Sequence, residues 1–411
     1  MLLSRVFSVG AILGAFWLPL TSVACDSGTE DGDARRGTTP KSSDPGGGGG
    51  RREGEVPVAA LALSACSPAT YALPVRIGES EPFDVALDTG STSLAVASSS
   101  CGECHVEPRF SPGDGVVDQG VKANAQYVTG RWSGTVYEGD VSLDAQAKAS
   151  VKFVAIDEQQ DFFVEQRCGS KSGGLQGIIG FGQRFGAVRG TTGFFDRFVA
   201  ESDAPDVFAT ELCDDGGTLW LGGYDSTRVT AAPEYTPLLN GVFAYYAVHL
   251  TSVEVEGTAA PIATREYPRT AIDTGASVFL LPTAAFESLA TAIASNASFK
   301  EIFGEEPSWF ETRNARSCKE LSVSKEELDA KLPPLTLTFG SEPEVISVRA
   351  APTESYLAHE RGRWCSTLAS FEPSEDIPLA SVMGAPVMRS NIVIFDRQDR
   401  RVGFAPHAPC K

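Results

Sequence analysis

The stretch Phe-Asp-Val-Ala-Leu-Asp-Thr-Gly-Ser-Thr-Ser-Leu (residues 83–94) is the most informative part of the chain, because its central triplet occurs again. The second copy is Ala-Ile-Asp-Thr-Gly-Ala-Ser-Val-Phe-Leu (residues 271–280). Each copy has an apolar run, an Asp-Thr-Gly turn and a second apolar run, which predicts a strand, a sharp turn and a strand. The two acids, Asp88 and Asp273, are 185 residues apart. Because that separation is the size of a lobe, the sequence predicts a duplicated unit that brings two carboxylates to one interface.

The composition favours many short strands over long helices. The 411-residue chain has 41 Gly and 25 Pro, and its 42% apolar content is enough to bury one large core or two lobes. Its formal net charge of −19 argues against nucleic-acid binding and against docking on anionic lipid, since both need a basic surface. We therefore expect an all-β protein that does not bind nucleic acid.

The first 55 residues predict export and a tether. Residues 1–24 have a short basic start, an apolar run and small residues at the end, which is typical of a signal peptide. The triplet Ser-Val-Ala before Cys25 suits either lipoprotein processing at that cysteine or cleavage by ordinary signal peptidase. Residues 25–55 are rich in Gly, Ser and Asp, which predicts a flexible tether.

These features predict a location and a domain plan. We expect an exported monomer: a lipoprotein with lipid on Cys25, in the periplasm, on the outer membrane or at the cell surface, or otherwise a secreted protein. An N-terminal lobe over residues 56–240 would carry Asp88, and a C-terminal lobe over residues 241–411 would carry Asp273. The first strand-like run begins so close to Asp88 that we expect no inhibitory prosegment.

The cysteines predict a disulfide framework. With Cys25 set aside, an even number remains, which in an exported chain favours disulfide bonds over reactive thiols. Counting alone leaves about 105 pairings open for eight cysteines. The eight are Cys66, Cys101, Cys104, Cys168, Cys213, Cys318, Cys365 and Cys410.

The sequence lacks the residue patterns of several other kinds of catalytic or metal site. The segment Cys101-x2-Cys104-His105 is at best half of a zinc site, and the chain has only four histidines. It has no His-Glu-x-x-His, no Gly-x-Ser-x-Gly and no phosphate-binding Gly-rich loop with a following Lys. We therefore expect neither a metal nor a cofactor. The paired Asp turns remain as the candidate catalytic site.

Two carboxyl groups at hydrogen-bonding distance cannot both ionise easily, so they share one proton. One group is then a base and the other an acid. Such a pair can deprotonate a water while it protonates a carbonyl oxygen, which is hydrolysis of a peptide bond without a covalent intermediate. The rival use is glycoside hydrolysis, in which the carboxylates are further apart. Two matching turns favour the close arrangement.

Further motifs occur in a fixed order along the chain. A predicted hairpin, Asn-Ala-Gln-Tyr-Val-Thr-Gly-Arg-Trp-Ser-Gly, covers residues 124–134. Two short apolar segments that end in Gly lie at residues 177–180 and 382–384, and the strand pair Asn-Ile-Val-Ile-Phe-Asp-Arg-Gln-Asp-Arg-Arg-Val-Gly-Phe-Ala-Pro covers residues 391–406. With the two Asp turns, this set resembles the pepsin-like aspartic proteases of family A1 from about residue 71 to about residue 406. The lipoprotein-like start indicates a bacterial, exported member.

The resemblance implies a fold and a set of roles. It implies two pseudo-symmetric β lobes around a central cleft, closed by a flap hairpin. Asp88 and Asp273 would be catalytic, and the supporting residues of the two turns would be Thr89, Gly90, Ser91, Thr274 and Gly275. The flap would contact a peptide or protein substrate through Tyr127, Thr129 and Gly130.

Two departures from the family pattern lie close to these residues. Ala95 stands where pepsins usually have a Trp that bonds the flap tyrosine, and Trp132 is the residue that would fill part of the space. Ala276 stands where many relatives have a hydroxyl beside the second Asp, so we expect the dyad to stay protonated to higher pH.

The resemblance also implies disulfide pairings. It implies a small loop closed by Cys101 and Cys104, and a C-terminal lobe bond between Cys318 and Cys365. For the remaining four cysteines we expect Cys168 with Cys213 and Cys66 with Cys410.

The sequence leaves a second function open. Some pepsin-like proteins bind peptides or act as inhibitors after losing the dyad. Here both Asp residues, both Thr residues and the flap Tyr are present. The sequence therefore predicts an aspartic endopeptidase, with a non-catalytic peptide-binding module as the alternative.

Overall fold

The structure is a computed structural model, and it describes most of the chain after residue 55. The described residues all lie in one compact unit. They are 56–67, 69–127, 130–163, 174–258, 262–263, 269–304, 310, 317–341, 343–371 and 379–410. The predicted signal peptide, the tether and Cys25 lie outside these residues.

The regular elements in the first part of the described chain are mostly strands. They are β1 (Ala59–Ser67), β2 (Thr70–Ile77), β3 (Phe83–Asp88), β4 (Leu94–Ala97), β5 (Val117–Gln126), β6 (Arg131–Ser142), β7 (Lys148–Gln160), β8 (Gly177–Gly180), β9 (Val207–Leu212), β10 (Gly216–Leu221) and β11 (Glu234–Pro237). One helix, α1 (Phe194–Ser202), and a 3-10 turn (Arg184–Gly186) interrupt them.

The second part adds short strands and more helices. The strands are β12 (Ala247–Val248), β13 (Leu250–Val255), β14 (Ile262–Ala263), β15 (Thr270–Asp273), β16 (Phe279–Pro282), β17 (Cys318–Lys319), β18 (Leu335–Ser341), β19 (Glu344–Ala350), β20 (Leu357–Glu360), β21 (Arg363–Ser366), β22 (Leu368–Phe371), β23 (Ser381–Gly384), β24 (Ile392–Asp396) and β25 (Arg401–Ala405). The helices are α2 (Thr283–Ser295), α3 (Ala297–Phe303), α4 (Lys325–Lys331) and α5 (Ala385–Met388), and a 3-10 turn covers Pro352–Glu354.

The described strands form one large sheet and three smaller ones. The large sheet has 13 strands in the order β11-β25-β24-β9-β10-β1-β2-β3-β8-β4-β7-β6-β5. The other sheets have the orders β12-β15-β23-β16-β22, β14-β13-β18-β19 and β17-β21-β20. The expected all-β, two-lobed fold is confirmed. The last two strands of the chain pair with β9 and β11 of the first part, so the large sheet crosses the predicted lobe boundary at residue 240.

The strands around the two Asp turns repeat one arrangement. In the first part, β8 lies parallel to β3 and antiparallel to β4, and Asp88 is opposite Gly180. In the second part, β23 lies parallel to β15 and antiparallel to β16, and Asp273 is opposite Gly384. The duplication predicted from the sequence is therefore a structural repeat.

Close backbone approach explains the glycine at the end of each crossing segment. A Cβ on Gly180 would lie 2.4 Å from backbone atoms of Thr92, and one on Gly384 would lie 2.3 Å from the Val278 carbonyl oxygen. Since real Cβ atoms do not approach so closely, only glycine allows the loop after each Asp turn to pack on its crossing strand.

An aromatic cluster packs at the centre of the molecule, where α1 and the large sheet meet strands near the second Asp turn. The Phe208 ring stacks on Phe395 with centroids 4.6 Å apart, and Tyr246 lies 4.7 Å from Phe395. All three side chains are buried. Aromatic pairs at these distances add to the free energy of burial, so the cluster holds the base beneath both Asp turns together.

The disulfide pairings were predicted in part. The bonds Cys101–Cys104 and Cys318–Cys365 are present. The third bond joins Cys213 to Cys410, so the predicted pairs Cys168–Cys213 and Cys66–Cys410 are wrong. Cys66 is in a disulfide bond, and Cys168 lies outside the described residues.

Contacts of the chain end explain the Cys213–Cys410 pairing. The Arg228 guanidinium donates to the carbonyl oxygens of Ala408 and Pro409 at 3.3 and 3.1 Å. This holds Cys410 beside the turn that follows β9, with the two cysteine Cα atoms 6.0 Å apart, a normal disulfide span.

No helix in the described part of the chain is long and apolar enough to cross a membrane.

Candidate active site

Reciprocal hydrogen bonds join the two Asp turns. The Thr89 backbone N–H donates to Thr274 Oγ1, and the Thr274 backbone N–H donates to Thr89 Oγ1, both at 3.0 Å. Each hydroxyl donates in turn to a carbonyl oxygen of the opposite strand, Ile272 at 3.0 Å and Leu87 at 2.9 Å. Both threonines are buried, and each hydroxyl both accepts and donates a hydrogen bond. These reciprocal hydrogen bonds fix the two Asp turns, and with them the two carboxylates, relative to each other.

The carboxyl groups of Asp88 and Asp273 face each other beside these reciprocal hydrogen bonds. Asp88 Oδ1 accepts from the Gly90 N–H, and Asp273 Oδ1 accepts from the Gly275 N–H, both at 2.8 Å. A Cβ on Gly90 would lie 2.5 Å from Asp273 Oδ2, and one on Gly275 would lie 2.5 Å from Asp88 Oδ1. Each carboxylate thus lies against the glycine of the other turn, where any side chain would displace it.

The dyad is not symmetric in its hydroxyl donors. The Ser91 hydroxyl donates a short hydrogen bond to Asp88 Oδ2. The equivalent position in the second turn is Ala276, which has no side-chain donor. Hydrogen bonds to a carboxylate stabilise its ionised form, so Asp88 has more support as the anion than Asp273 has.

The position of Asp273 raises the pKa of its carboxyl well above the usual range. Burial is the largest cause, followed by the charge of Asp88 and a hydrogen bond with it, whereas the N–H groups of Gly275 and Gly90 act in the opposite direction. Asp273 has some exposure at the cleft, and protein atoms otherwise enclose its carboxyl. The arrangement favours one proton on the dyad, held by Asp273.

The predicted flap is the hairpin of β5 and β6. The Tyr127 N–H donates to the Gly130 carbonyl oxygen at 2.7 Å, and Thr129 lies outside the described residues. Burial raises the pKa of the Tyr127 phenol far above its ordinary value, and the negative charge of Asp88 raises it further. Because its hydroxyl is also within reach of the Ser91 side chain, the flap tyrosine reaches the first Asp turn.

Trp132 fills the space that Ala95 leaves beneath the flap. The two residues are buried in one apolar cluster, and Tyr127 packs against this cluster. The buried indole N–H of Trp132 has no hydrogen-bond partner of ordinary geometry among the described residues, although the indole lies close enough to the Tyr127 hydroxyl to oppose the rise of its pKa. This packing agrees with the prediction that Trp132 fills part of the space left by Ala95.

Comparison with known proteins identifies the family of the chain. The model of a family described as "Eukaryotic aspartyl protease" matches residues 70–407. The chain belongs to this family. It is thus an aspartic protease by family, and both Asp turns and the flap hairpin lie within the matched region.

Several curated relatives support this membership. A "Beta-secretase" of Strongylocentrotus purpuratus is 28% identical over 366 residues, which is 82% of this chain and 66% of the relative. A "Pepsin-2B" of Gadus morhua is 24% identical over 336 residues, covering 80% and 93% of the two chains. A "Cathepsin E" of Aquarana catesbeiana is 25% identical over 341 residues, covering 79% and 76%. All three organisms are eukaryotes, so the expected bacterial origin finds no support in them.

Tyr245 is a residue of this aspartic protease site that the sequence analysis missed. Ala247 pairs with Ala271, and the Ile272 N–H donates to the Tyr246 carbonyl oxygen at 3.0 Å, so Tyr245 lies in the segment that runs alongside the strand ending at Asp273. Burial raises the pKa of Tyr245, and the charges of both Asp residues add to the effect. The sequence gives no signal for this residue, because the register of a two-residue strand depends on tertiary packing.

Proposed function

We propose that this aspartic protease hydrolyses peptide bonds with a water held between Asp88 and Asp273. The observation that carries the proposal is the dyad itself: two carboxyl groups, each lying against the glycine of the other turn, with the Asp273 pKa raised. Asp88 accepts hydrogen bonds from the Gly90 N–H and the Ser91 hydroxyl, which stabilise its anion. Asp88 is then the base and Asp273 the acid.

The two residues balance the protons of the reaction. Asp88 removes a proton from the water as the water oxygen bonds to the carbonyl carbon, and Asp273 gives its proton to the carbonyl oxygen. In the second step, Asp88 gives its proton to the amide nitrogen as the C–N bond breaks. Asp273 recovers a proton from a hydroxyl of the tetrahedral intermediate, which restores the starting state.

The substrate is a peptide or protein segment bound in an extended form under the flap. Tyr127, Thr129 and Gly130 of the flap, with Gly90 and Gly275 of the turns, are the residues we assign to its backbone. Extended chains are recognised mainly through main-chain hydrogen bonds, so a hairpin on one side and two glycine turns on the other suit this ligand. The whole chain acts as a monomer in this proposal.

Cleavage of a diverse peptide library by the full chain at pH 3 to 7 tests the function. We expect peptide cleavage that pepstatin inhibits and that both Asp88→Asn and Asp273→Asn abolish. Asp140→Asn is the matched control, because Asp140 is exposed on β6, and it retains activity. Folded wild-type protein that binds peptides but cleaves none at any pH would favour the peptide-binding module instead.

We assign the protein to an exported location, with residues 1–24 as the signal peptide and Cys25 as the lipid-bearing end. Disulfide bonds such as Cys213–Cys410 support export, because they persist in oxidising compartments. Mass spectrometry of the mature N-terminus tests the tether. An acylated Cys25 agrees with the lipoprotein, whereas an unmodified N-terminus contradicts it.

A further inference from the structure

Tyr246 is a buried tyrosine that makes hydrogen bonds to both Asp turns. Its side chain is 1% exposed, and its ring packs on Phe395 at a centroid distance of 4.7 Å. Its hydroxyl donates to the Phe181 carbonyl oxygen at 2.7 Å. A phenylalanine would fill the same space without a polar group to satisfy, so packing does not explain the hydroxyl.

The main chain of Tyr246 is bonded to the strand that carries the second Asp. Its carbonyl oxygen accepts from the Ile272 N–H at 3.0 Å, and Ile272 directly precedes Asp273 in β15. The next residue, Ala247, begins β12, which pairs with the same strand. The backbone of Tyr246 is therefore fixed relative to Asp273.

The hydroxyl of Tyr246 is connected to the first Asp turn through one peptide group. Phe181 supplies the carbonyl oxygen that accepts from this hydroxyl, and its N–H donates to the Asp88 carbonyl oxygen at 2.7 Å. Gly182 supplies the N–H of the same peptide group, which donates to the Ser91 carbonyl oxygen at 2.6 Å. Hydrogen bonds in series polarise and strengthen one another. Since the Ser91 hydroxyl donates to Asp88 Oδ2, the series ends at a residue that holds the dyad.

The surroundings of Tyr246 keep its hydroxyl protonated. Burial raises the pKa of the phenol far above its ordinary value, and the charge of Arg397 acts in the opposite direction. The Arg397 guanidinium is itself paired with Asp196 and with Asp206, the latter at 3.1 Å. The hydroxyl therefore remains a donor over the whole pH range in which the dyad titrates.

We propose that Tyr246 is a positioning residue of the dyad, whose hydroxyl holds the first Asp turn at a fixed separation from Asp273. The inference rests on the proposed function and adds a residue to it. The reciprocal threonine hydrogen bonds join the two turns directly, and Tyr246 joins them a second time through Phe181. The coupling between two carboxyl groups depends on their separation, so a turn that is held less firmly weakens it.

Tyr246→Phe tests this role, because it removes the hydroxyl and leaves the ring. Tyr356→Phe is the matched control: Tyr356 is also buried, and its hydroxyl donates to the Pro333 carbonyl oxygen at 2.8 Å, after α4 and outside both turns. The first readout on the full chain is kcat and KM for one peptide against pH. The second is a ¹³C NMR titration of the Asp carboxyl groups, in which Asp88→Asn and Asp273→Asn assign the dyad signals. The titration needs no turnover.

We expect Tyr246→Phe to lower kcat by about tenfold, because the two carboxyl groups are less well placed. KM is unchanged, since a buried residue does not contact the peptide. The two macroscopic pKa values of the dyad move closer together by about one unit, so both limbs of the kcat/KM profile move inward. Tyr356→Phe keeps the wild-type kcat and the wild-type separation.

A wild-type separation of the dyad pKa values in Tyr246→Phe overturns the positioning role, as does an equal narrowing in Tyr356→Phe. Failure of Tyr246→Phe alone to fold would assign the hydroxyl to stability of the fold and contradict the proposal. If wild type cleaves no peptide, the proposed hydrolysis fails, and the carboxyl titration still decides the role of Tyr246.

Discussion

At the scale of single residues, the dyad depends on small differences between two otherwise matched turns. Thr89 and Thr274 donate and accept equivalent hydrogen bonds across the two turns. The position that corresponds to Ser91 is Ala276, which has no hydroxyl. Since each hydroxyl donor stabilises the carboxylate that it contacts, the missing donor acts in the same direction as burial and the charge of Asp88, which raise the pKa of the Asp273 carboxyl. We therefore expect the identity of the fourth residue of each turn to shift the pH range of activity.

Substitution at these two positions shifts the alkaline limb of activity in opposite directions. In Ala276→Thr, a new donor beside Asp273 lowers the pKa of its carboxyl, so activity falls at a pH lower by about one unit. In Ser91→Ala, the lost donor to Asp88 makes the pair hold its proton to higher pH. The measurement is kcat/KM against pH on one peptide. An alkaline limb that stays in place in both variants would contradict this account of the dyad.

At the scale of elements, the two crossing strands β8 and β23 position the Asp turns. Each ends in a glycine against the loop that follows the turn, and the structure leaves no room for a side chain there. These glycines lie in ordinary backbone conformations, so steric room and not backbone freedom explains them.

Gly180→Ala and Gly384→Ala are each expected to lower the free energy of unfolding by about 3 kcal/mol, because backbone atoms 2.3–2.4 Å from the new Cβ must move. Chemical denaturation measures the change. Gly113→Ala is the control, since no atom lies within 4 Å of its added Cβ, and we expect its stability to be unchanged. Equal stability of all three variants would show that the crossings are not tightly packed.

Features that carry a recognisable motif were predictable, including the meeting of the two distant Asp turns, whereas contacts without a motif were not. The Asp turns, the flap strands and the bonds Cys101–Cys104 and Cys318–Cys365 follow from local patterns and from the family resemblance. Tyr245 and the Cys213–Cys410 bond were missed, because each depends on a strand register or a chain end fixed only in the folded protein.

At the scale of the whole molecule, the end of the chain is fixed to the large sheet. His407 Nε2 lies 2.9 Å from the Arg389 carbonyl oxygen, and Nδ1 lies 2.7 Å from the Ala408 carbonyl oxygen and 3.4 Å from Glu211 Oε1. Because both ring nitrogens face acceptors, the charged imidazolium is the form that satisfies them. The Arg228 guanidinium pairs with the same Glu211 carboxylate.

This contact makes stability depend on pH on the alkaline side. The hydrogen bond with Glu211 is the main cause that raises the pKa of His407 from 6.5 to about 9. A histidine whose pKa is raised by folding contributes stability fully below its unfolded pKa, and that contribution is lost as pH rises through the folded value. The loss therefore lies between about pH 6.5 and 9, with an upper limit of about 3 kcal/mol.

We expect His407→Gln to lower the unfolding free energy at pH 6 and to remove most of its decline between pH 6 and 9. Denaturant titrations at the two pH values measure both effects. His105→Gln, at an exposed position, should behave like wild type. A decline of wild-type size in His407→Gln would mean that other groups titrate in this range.

A peptide-hydrolysing dyad that shares one proton is tested most directly by measuring kcat/KM of the full chain from pH 2 to 8. We predict a bell-shaped profile, because only the dyad with a single shared proton is active and activity falls when the pair gains a second proton or loses its last one. Asp273→Asn should have no measurable activity across the range. A profile that is flat across this range, or an Asp273→Asn variant that cleaves like wild type, would contradict the account.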